Sequence, residues 1–190
     1  MTDGAARCLE LHAPPALQSL AIPKLTATSE HTLWTSGQWM TERPGGSDIR
    51  ASETRATPAA DGTWTIEGYK WFSSASDSDM TLLLAKTPGH DKVSMFWVRT
   101  KFDDGELNGV RIIRLKDKFG TKSIPTAELE LVGMKGARMI GAEGGGVKVI
   151  SEVLNITRIH CALGCIAGMR RAFSIVTVPP PPTNTSLLWC

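Results

Sequence analysis

The stretch Thr63-Trp64-Thr65-Ile66-Glu67-Gly68-Tyr69-Lys70-Trp71-Phe72-Ser73-Ser74 decides the fold class. Thr63 to Ile66 alternates polar and apolar residues, the period of a strand with one wet and one buried face. The alternation recurs in Ala127-Glu128-Leu129-Glu130-Leu131. Met80 to Ala85 and Val93 to Val98 are more continuously apolar, as strands covered on both faces are. Turn signals separate these runs: Pro44-Gly45-Gly46, Asp61-Gly62, Glu67-Gly68, Pro88-Gly89, Asp104-Gly105 and Asn108-Gly109. Short strands at this spacing, over residues 32–140, predict a sandwich or a small barrel.

The flanks read differently. Residues 1–31 carry Pro14, Pro15 and Pro23 and fit no more than a short helix around Ala16 to Ala21, so the zone reads as a lead-in or remnant. Gly144-Gly145-Gly146 ends the β region, and residues 141–178 take a helical period. Val147, Ile150 and Leu154 share one face; Ile159, Leu163, Ile166, Met169 and Phe173 continue it. Ala162, Gly164, Ala167 and Gly168 are small enough for close helix packing. Pro179 to Pro182 cannot continue a helix, and residues 179–190 read as an unstructured tail. Large apolar side chains are worth ~1.5–3 kcal/mol each when buried. A helix this apolar is therefore expected to begin a bundle whose remainder is absent here.

The 190 residues carry a net charge of +2, with 21% charged and 42% hydrophobic residues. That composition excludes an intrinsically disordered chain and gives no pull towards nucleic acid or acidic membranes. Apolar runs such as Leu82 to Ala85 fall short of the ~20 residues of a membrane span. No secretory signal is expected from Met1 to Glu10. Cys8, Cys161, Cys165 and Cys190 do not form a disulfide framework, so a reducing, intracellular setting and packing roles are expected. His160 with Cys161 and Cys165 lacks a fourth metal ligand. His12, His31 and His90 read as isolated and exposed, and Trp34, Trp64 and Trp97 as core. Lys116, Lys118 and Lys122 could meet a phosphate, although a solvated face is the simpler reading.

Two segments carry chemistry. Met40-Thr41-Glu42-Arg43-Pro44-Gly45-Gly46-Ser47-Asp48 follows a strand-like lead-in with a Gly-rich turn and hydroxyl groups, a pattern that suits an anion or a plain polar loop. Gly68-Tyr69-Lys70-Trp71-Phe72-Ser73-Ser74 sets aromatic rings beside the Ser73 and Ser74 hydroxyls, which suits a planar heteroaromatic ring or a barrel core.

Together the segments resemble the acyl-CoA dehydrogenase family over about three-quarters of the chain. Thr41 to Asp48 is similar to the family's T-E-P-G-A-G-S-D loop, and Ile66 to Ser74 to its I-N-G-x-K-x-W-I-T strand. Lys118-Phe119-Gly120 with Thr126-Ala127-Glu128-Leu129 resembles its K-x-G and T-x-E-L segment. Gly141 to Gly146 resembles its G-x-E-G-x-G turn. The Lys70-Trp71-Phe72 segment and the helix from Thr157 to Phe173 resemble the branch related to the adaptive response to DNA alkylation.

The resemblance implies an α+β fold: a middle β-barrel or sandwich domain flanked by remnants of helical domains. It implies FAD as cofactor and an acyl-CoA thioester as substrate, oxidised across its CH–CH bond. Met40 and Thr41 would meet the pyrimidine side of the flavin, and Gly46 and Ser47 the pyrophosphate. Phe72 takes the place of a flavin-stacking Trp, and Ser74 that of a Thr on the reactive edge, with Ser73 beside it. Ser47 and Arg158 would contact the thioester. The family's catalytic carboxylate lies late in the chain, where nothing here matches; Glu143 and Glu152 fit no family role, so no catalytic residue is assigned. A chain of this kind is expected to bind FAD weakly and to be inactive alone. The alternative is a non-enzymatic interaction or DNA-repair-associated module that uses the β domain and the exposed helix, which could also pair two copies of the chain.

Overall fold

The computed structural model describes residues 1–46 and 48–177. The chain runs α1 (Thr2–His12), α2 (Pro15–Leu25), β1 (Ser36–Trp39), β2 (Arg55–Pro58), β3 (Trp64–Ser74), β4 (Met80–Lys86), β5 (Val93–Arg99), β6 (Val110–Leu115), β7 (Thr126–Ile140) and α3 (Gly146–Thr177). The expected α+β class is what the chain adopts.

The strands close a small barrel. β4 pairs with β5, β5 with β7, β7 with β3, β3 with β1, and β1 returns in parallel to β4. β2 joins β3 and reaches β4. β6 pairs with β7 and forms an edge.

The apolar runs of β4 and β5 are buried on both sides, as their sequences predict. Leu83, Ala85, Phe96 and Val98 point into the barrel, with Trp39, Ile66 and Leu129. Met80, Leu82, Leu84, Met95 and Trp97 point the other way into a second core shared with the helices. Trp34 and Trp97 are core residues as read, and Trp64 packs at the barrel core's margin.

That second core corrects the reading of the N-terminal zone. Two helices stand where one short helix is predicted, and Cys8, Leu9, Leu17, Ala21 and Leu25 are buried among them. Pro14 and Pro15 separate the helices without ending helical structure, because Pro15 sits in the first turn of α2, where no N–H is needed. Pro23 lies inside α2, near its end. His12 is half-buried with an unpartnered Nε2, not exposed as expected.

α3 docks by its first turns, through Val149, Ile150 and Val153. Val147, read as part of that face, is exposed. Gly146 seats the helix: a Cβ there would lie 2.7 Å from Leu84 Cδ2 and 2.8 Å from the Val93 carbonyl. Beyond Val153 the apolar side chains Ile159, Leu163, Ile166 and Met169 are exposed, and so are Cys161 and Cys165, which therefore do not pack here. By length and composition α3 could cross a membrane, contrary to the expectation from the short apolar runs. However, its uncharged stretch Ile159–Met169 lies between Arg158 and Arg170. At ~1.5 Å per residue it spans ~16 Å, about half of a ~30 Å hydrocarbon layer. The tail from Val178 lies outside the described residues.

Candidate functional site

β3 carries the site, and an irregularity in its pairing with β7 shapes it. Lys70 opposes Leu129 and Ser73 opposes Ala127, so Trp71 and Phe72 together oppose Glu128 alone. This is a β-bulge, which shifts the alternation by one residue. Ile66, Lys70 and Ser73 are buried inside the barrel, while Tyr69, Trp71, Phe72 and Ser74 stay partly or fully open on the outer face. The rings of Trp71 and Phe72 lie edge to face, 6.4 Å apart, and Phe72 is 48% exposed. Glu67-Gly68, read as a turn signal, instead lies within β3.

The Gly-rich segment meets β3 directly. Gln38 pairs with Ser74, and Trp39 Nε1 donates to the Ser74 carbonyl at 3.3 Å. Past the end of β1, the Trp71 N–H donates to the Thr41 carbonyl at 2.9 Å. Glu42 and Gly45 exchange two backbone hydrogen bonds, which closes the turn over Arg43 and Pro44. Gly46 leaves room beside Thr41, where a Cβ would stand 3.3 Å from Thr41 Cγ2. Met40 and Thr41 are half-buried at the same place.

The hydroxyls divide. Ser74 Oγ shares a hydrogen bond with Thr126 Oγ1 at 2.8 Å and keeps a second bonding capacity on the outer side. Ser73 Oγ is buried and unpartnered, so on the Phe72 side Ser73 offers its backbone and not its hydroxyl. Ser47 lies outside the described residues. Arg158 is exposed on α3, where it donates to Asn155 Oδ1 at 3.3 Å, and among the described residues no hydrogen bond joins it to β3.

Charge around the aromatic pair is specific. Lys116 places its ammonium 3.4 Å from the Trp71 ring centroid and 4.9 Å from that of Phe72. The Arg43 guanidinium lies 4.7 Å from the Trp71 ring. These are cation–π distances. Glu128 accepts from Lys116, Tyr69 and Arg114. Those donors, the Lys116 ammonium and then the Tyr69 hydroxyl foremost, hold the Glu128 carboxyl down at about 2. The bond to Glu128 in turn raises the Tyr69 phenol.

This corrects the reading of the lysine cluster as a solvated face. Lys116 is nearly enclosed. Lys118 is spent on the carbonyls of Thr121 and Ile124 and on Thr126 Oγ1. Lys122 remains exposed, 3.8 Å from Asp117.

Inside the barrel, Lys70 is fully buried and donates to Glu42 Oε1 at 2.7 Å and to the Leu84 carbonyl at 2.8 Å. Glu42 Oε2 accepts the N–H groups of Glu53 at 2.6 Å and Thr54 at 3.2 Å. Burial opposes charge on Glu42, but Lys70 and these N–H groups outweigh it and lower the carboxyl. Burial lowers the Lys70 ammonium. Sequence reading assigned neither residue, although a signal was present. Lys70 keeps the two-residue spacing of Ile66, hence a core position, and a core lysine needs an anion.

The chain matches the family model described as "Acyl-CoA dehydrogenase, middle domain" over residues 37–134. It is 43% identical to acyl-CoA dehydrogenase family member 11 of Caenorhabditis elegans, over 92% of this chain and 30% of that protein. It is 38% identical to the putative acyl-CoA dehydrogenase AidB of Escherichia coli, over 92% of this chain and 33% of that protein. It thus spans about a third of the length of these curated relatives. Among solved structures, C. elegans ACDH-11 in complex with C11-CoA superposes with a TM-score of 0.84 at 40% identity, covering 98% of this chain and 34% of that one. An acyl-CoA dehydrogenase from Bacillus anthracis complexed with FAD superposes at 0.73 with 26% identity, covering 88% of this chain and 28% of that one.

Proposed function

Because the chain belongs to the acyl-CoA dehydrogenase family of flavoprotein oxidoreductases, we propose that it holds FAD against the outer face of β3 for the oxidation of an acyl-CoA thioester. The observation that carries this reading is the convergence of the Thr41 segment and the Ser74 segment on one face. The residues fit the cofactor. Phe72 offers a half-open aromatic surface for a flat ring, with Trp71 and Lys116 supporting it from beside. Ser74 keeps hydrogen-bonding capacity, and Gly46 lets backbone come close. When bound, FAD supplies the hydride acceptor that no side chain can provide.

The chain's own residues bind and orient. Met40, Thr41, Phe72 and Ser74, with the Ser73 backbone, form the ring seat; Gly46 and Ser47 serve the pyrophosphate; Ser47 and Arg158 serve the thioester. Glu128 is unsuited to proton abstraction, since a carboxyl held at about 2 is too weak a base and its oxygens are already occupied. The barrel over residues 32–140 is the cofactor-holding unit, and α3 is the first element of a helical layer. The 38% identity to AidB supports reading the chain as kin to the branch related to the adaptive response to DNA alkylation.

The test is fluorescence titration of the chain with FAD, beside Ser74→Ala. Quenching that saturates, with affinity reduced about tenfold in the variant, agrees with the reading; one hydrogen bond to a polar ring edge is worth on the order of that factor. No retention at high FAD by a folded sample, or no effect of Ser74→Ala, contradicts it.

A further inference from the structure

We infer that Glu42 and Lys70 form a positioning pair that locks the Gly-rich turn to β3, so that the cofactor seat is assembled before any ligand arrives. This rests on the flavin reading for its purpose, but not for its geometry. The two residues come from the two different segments of the seat. Glu42 follows Thr41 directly, and Lys70 precedes Trp71 directly. Their 2.7 Å contact therefore continues inside the barrel the tie that the Thr41 carbonyl and the Trp71 N–H make beside it.

The second oxygen of Glu42 adds the other half of the device. It takes the N–H groups of Glu53 and Thr54, where the chain returns to the barrel after the Gly-rich turn. One carboxylate thus fastens the departure and the return of that excursion. The return point is tight: Thr54 packs on Gly68 of β3, where a Cβ would stand 2.6 Å from Thr54 Oγ1. The Thr54 carbonyl also accepts the Lys86 N–H at 2.8 Å.

A buried ion pair is a poor choice for stability alone, since apolar residues of similar volume often hold a core equally well or better. An apolar pair could fill the same space. It could not accept two N–H groups and an ammonium at once, and the turn would lose its fastening. Buried charge pairs are best attested as devices that select one geometry, and here the geometry selected is that of Thr41, Gly46, Phe72 and Ser74.

The test has a part that needs no variant. Native-state amide exchange of the whole chain, without FAD, should show the Glu53 and Thr54 amides protected at least a hundredfold more than those of Arg43 and Arg50. Equal rates would overturn the inference. The second part compares Lys70→Met, Glu42→Gln and the apolar double variant Glu42→Leu/Lys70→Met by thermal midpoint, exchange and FAD titration. The double variant should regain most of the thermal midpoint lost by either single change. It should still bind FAD at least tenfold more weakly than the parent, with fast exchange at Glu53 and Thr54. A double variant with parental exchange and parental affinity would overturn the inference and leave the pair as core filling. If the parent itself binds no FAD, the flavin reading fails while the exchange data still decide the fastening.

Discussion

The Trp71 N–H donates to the Thr41 carbonyl at 2.9 Å, across thirty positions of sequence. That bond lies two residues beyond the end of β1 and within the bulge of β3. It lets two segments that look unrelated along the chain act as one surface. The bulge matters as much as the bond. Without the extra residue, Trp71 and Phe72 would point to opposite faces, and the outer face would lose one of its rings.

Replacing Phe72 with Ala should weaken FAD binding about tenfold, because an aromatic contact of this kind contributes ~0.5–1.5 kcal/mol beyond its buried area. Phe72 is 48% exposed, so the thermal midpoint should barely move. Phe72→Trp should bind at least as well as the parent. Titration and melting of the three proteins check this, and a large loss of stability in Phe72→Ala would place the ring in the core instead.

Acid should destabilise the chain through Glu128 and Glu42. The Glu128 carboxyl sits at about 2 in the folded chain against 4.5 ordinarily, and Glu42 is also lowered. Both therefore favour the folded state above pH ~4.5, and that contribution fades as pH falls towards 2. Urea midpoints measured from pH 7 to pH 2 should decline most steeply below pH 4.5. Glu128→Gln should flatten part of that decline and lower the midpoint at neutral pH.

The cysteines should separate by reactivity. Burial, with the nearby Glu152 carboxylate, pushes the Cys8 thiol up to about 12, while Cys161 and Cys165 are exposed on α3. Mass spectrometry after brief alkylation at pH 8 should find Cys161 and Cys165 labelled and Cys8 intact until denaturant is added. Early labelling of Cys8 would show that α1 does not pack on the barrel as described.

Gly146→Ala should detach the start of α3. The added methyl would meet Leu84 and the backbone of Val93, and backbone cannot step aside cheaply. A loss of ~1–3 kcal/mol in chemical denaturation is expected. Ala substitution at Gly164, where nothing lies within 4 Å of an added methyl, should leave stability unchanged or raise it.

Legibility in the sequence followed the size and continuity of apolar residues. β4 and β5 were readable because both faces are covered, and α3 because its period is long. α1 is not legible because, apart from Leu9, its buried face is built from the small residues Gly4, Ala5, Ala6 and Cys8, which carry little periodic signal. β6 was missed because it is an edge strand whose Ile112, Ile113 and Leu115 are exposed. At the site, Thr41, Phe72 and Ser74 came from a motif, but the bulge that turns Phe72 outward depends on register with β7, which no local pattern encodes. The roles of Glu42, Lys70, Lys116 and Glu128 depend on partners far away in sequence, and charged residues in a strand look solvated until those partners are known.

Hydrogen exchange with and without FAD tests the central claim most directly. If the account holds, FAD slows exchange in residues 38–46 and in residues 69–74 together, with little change in the exposed residues 119–124 between β6 and β7. Protection of one segment without the other, or protection confined to residues 119–124, would contradict it.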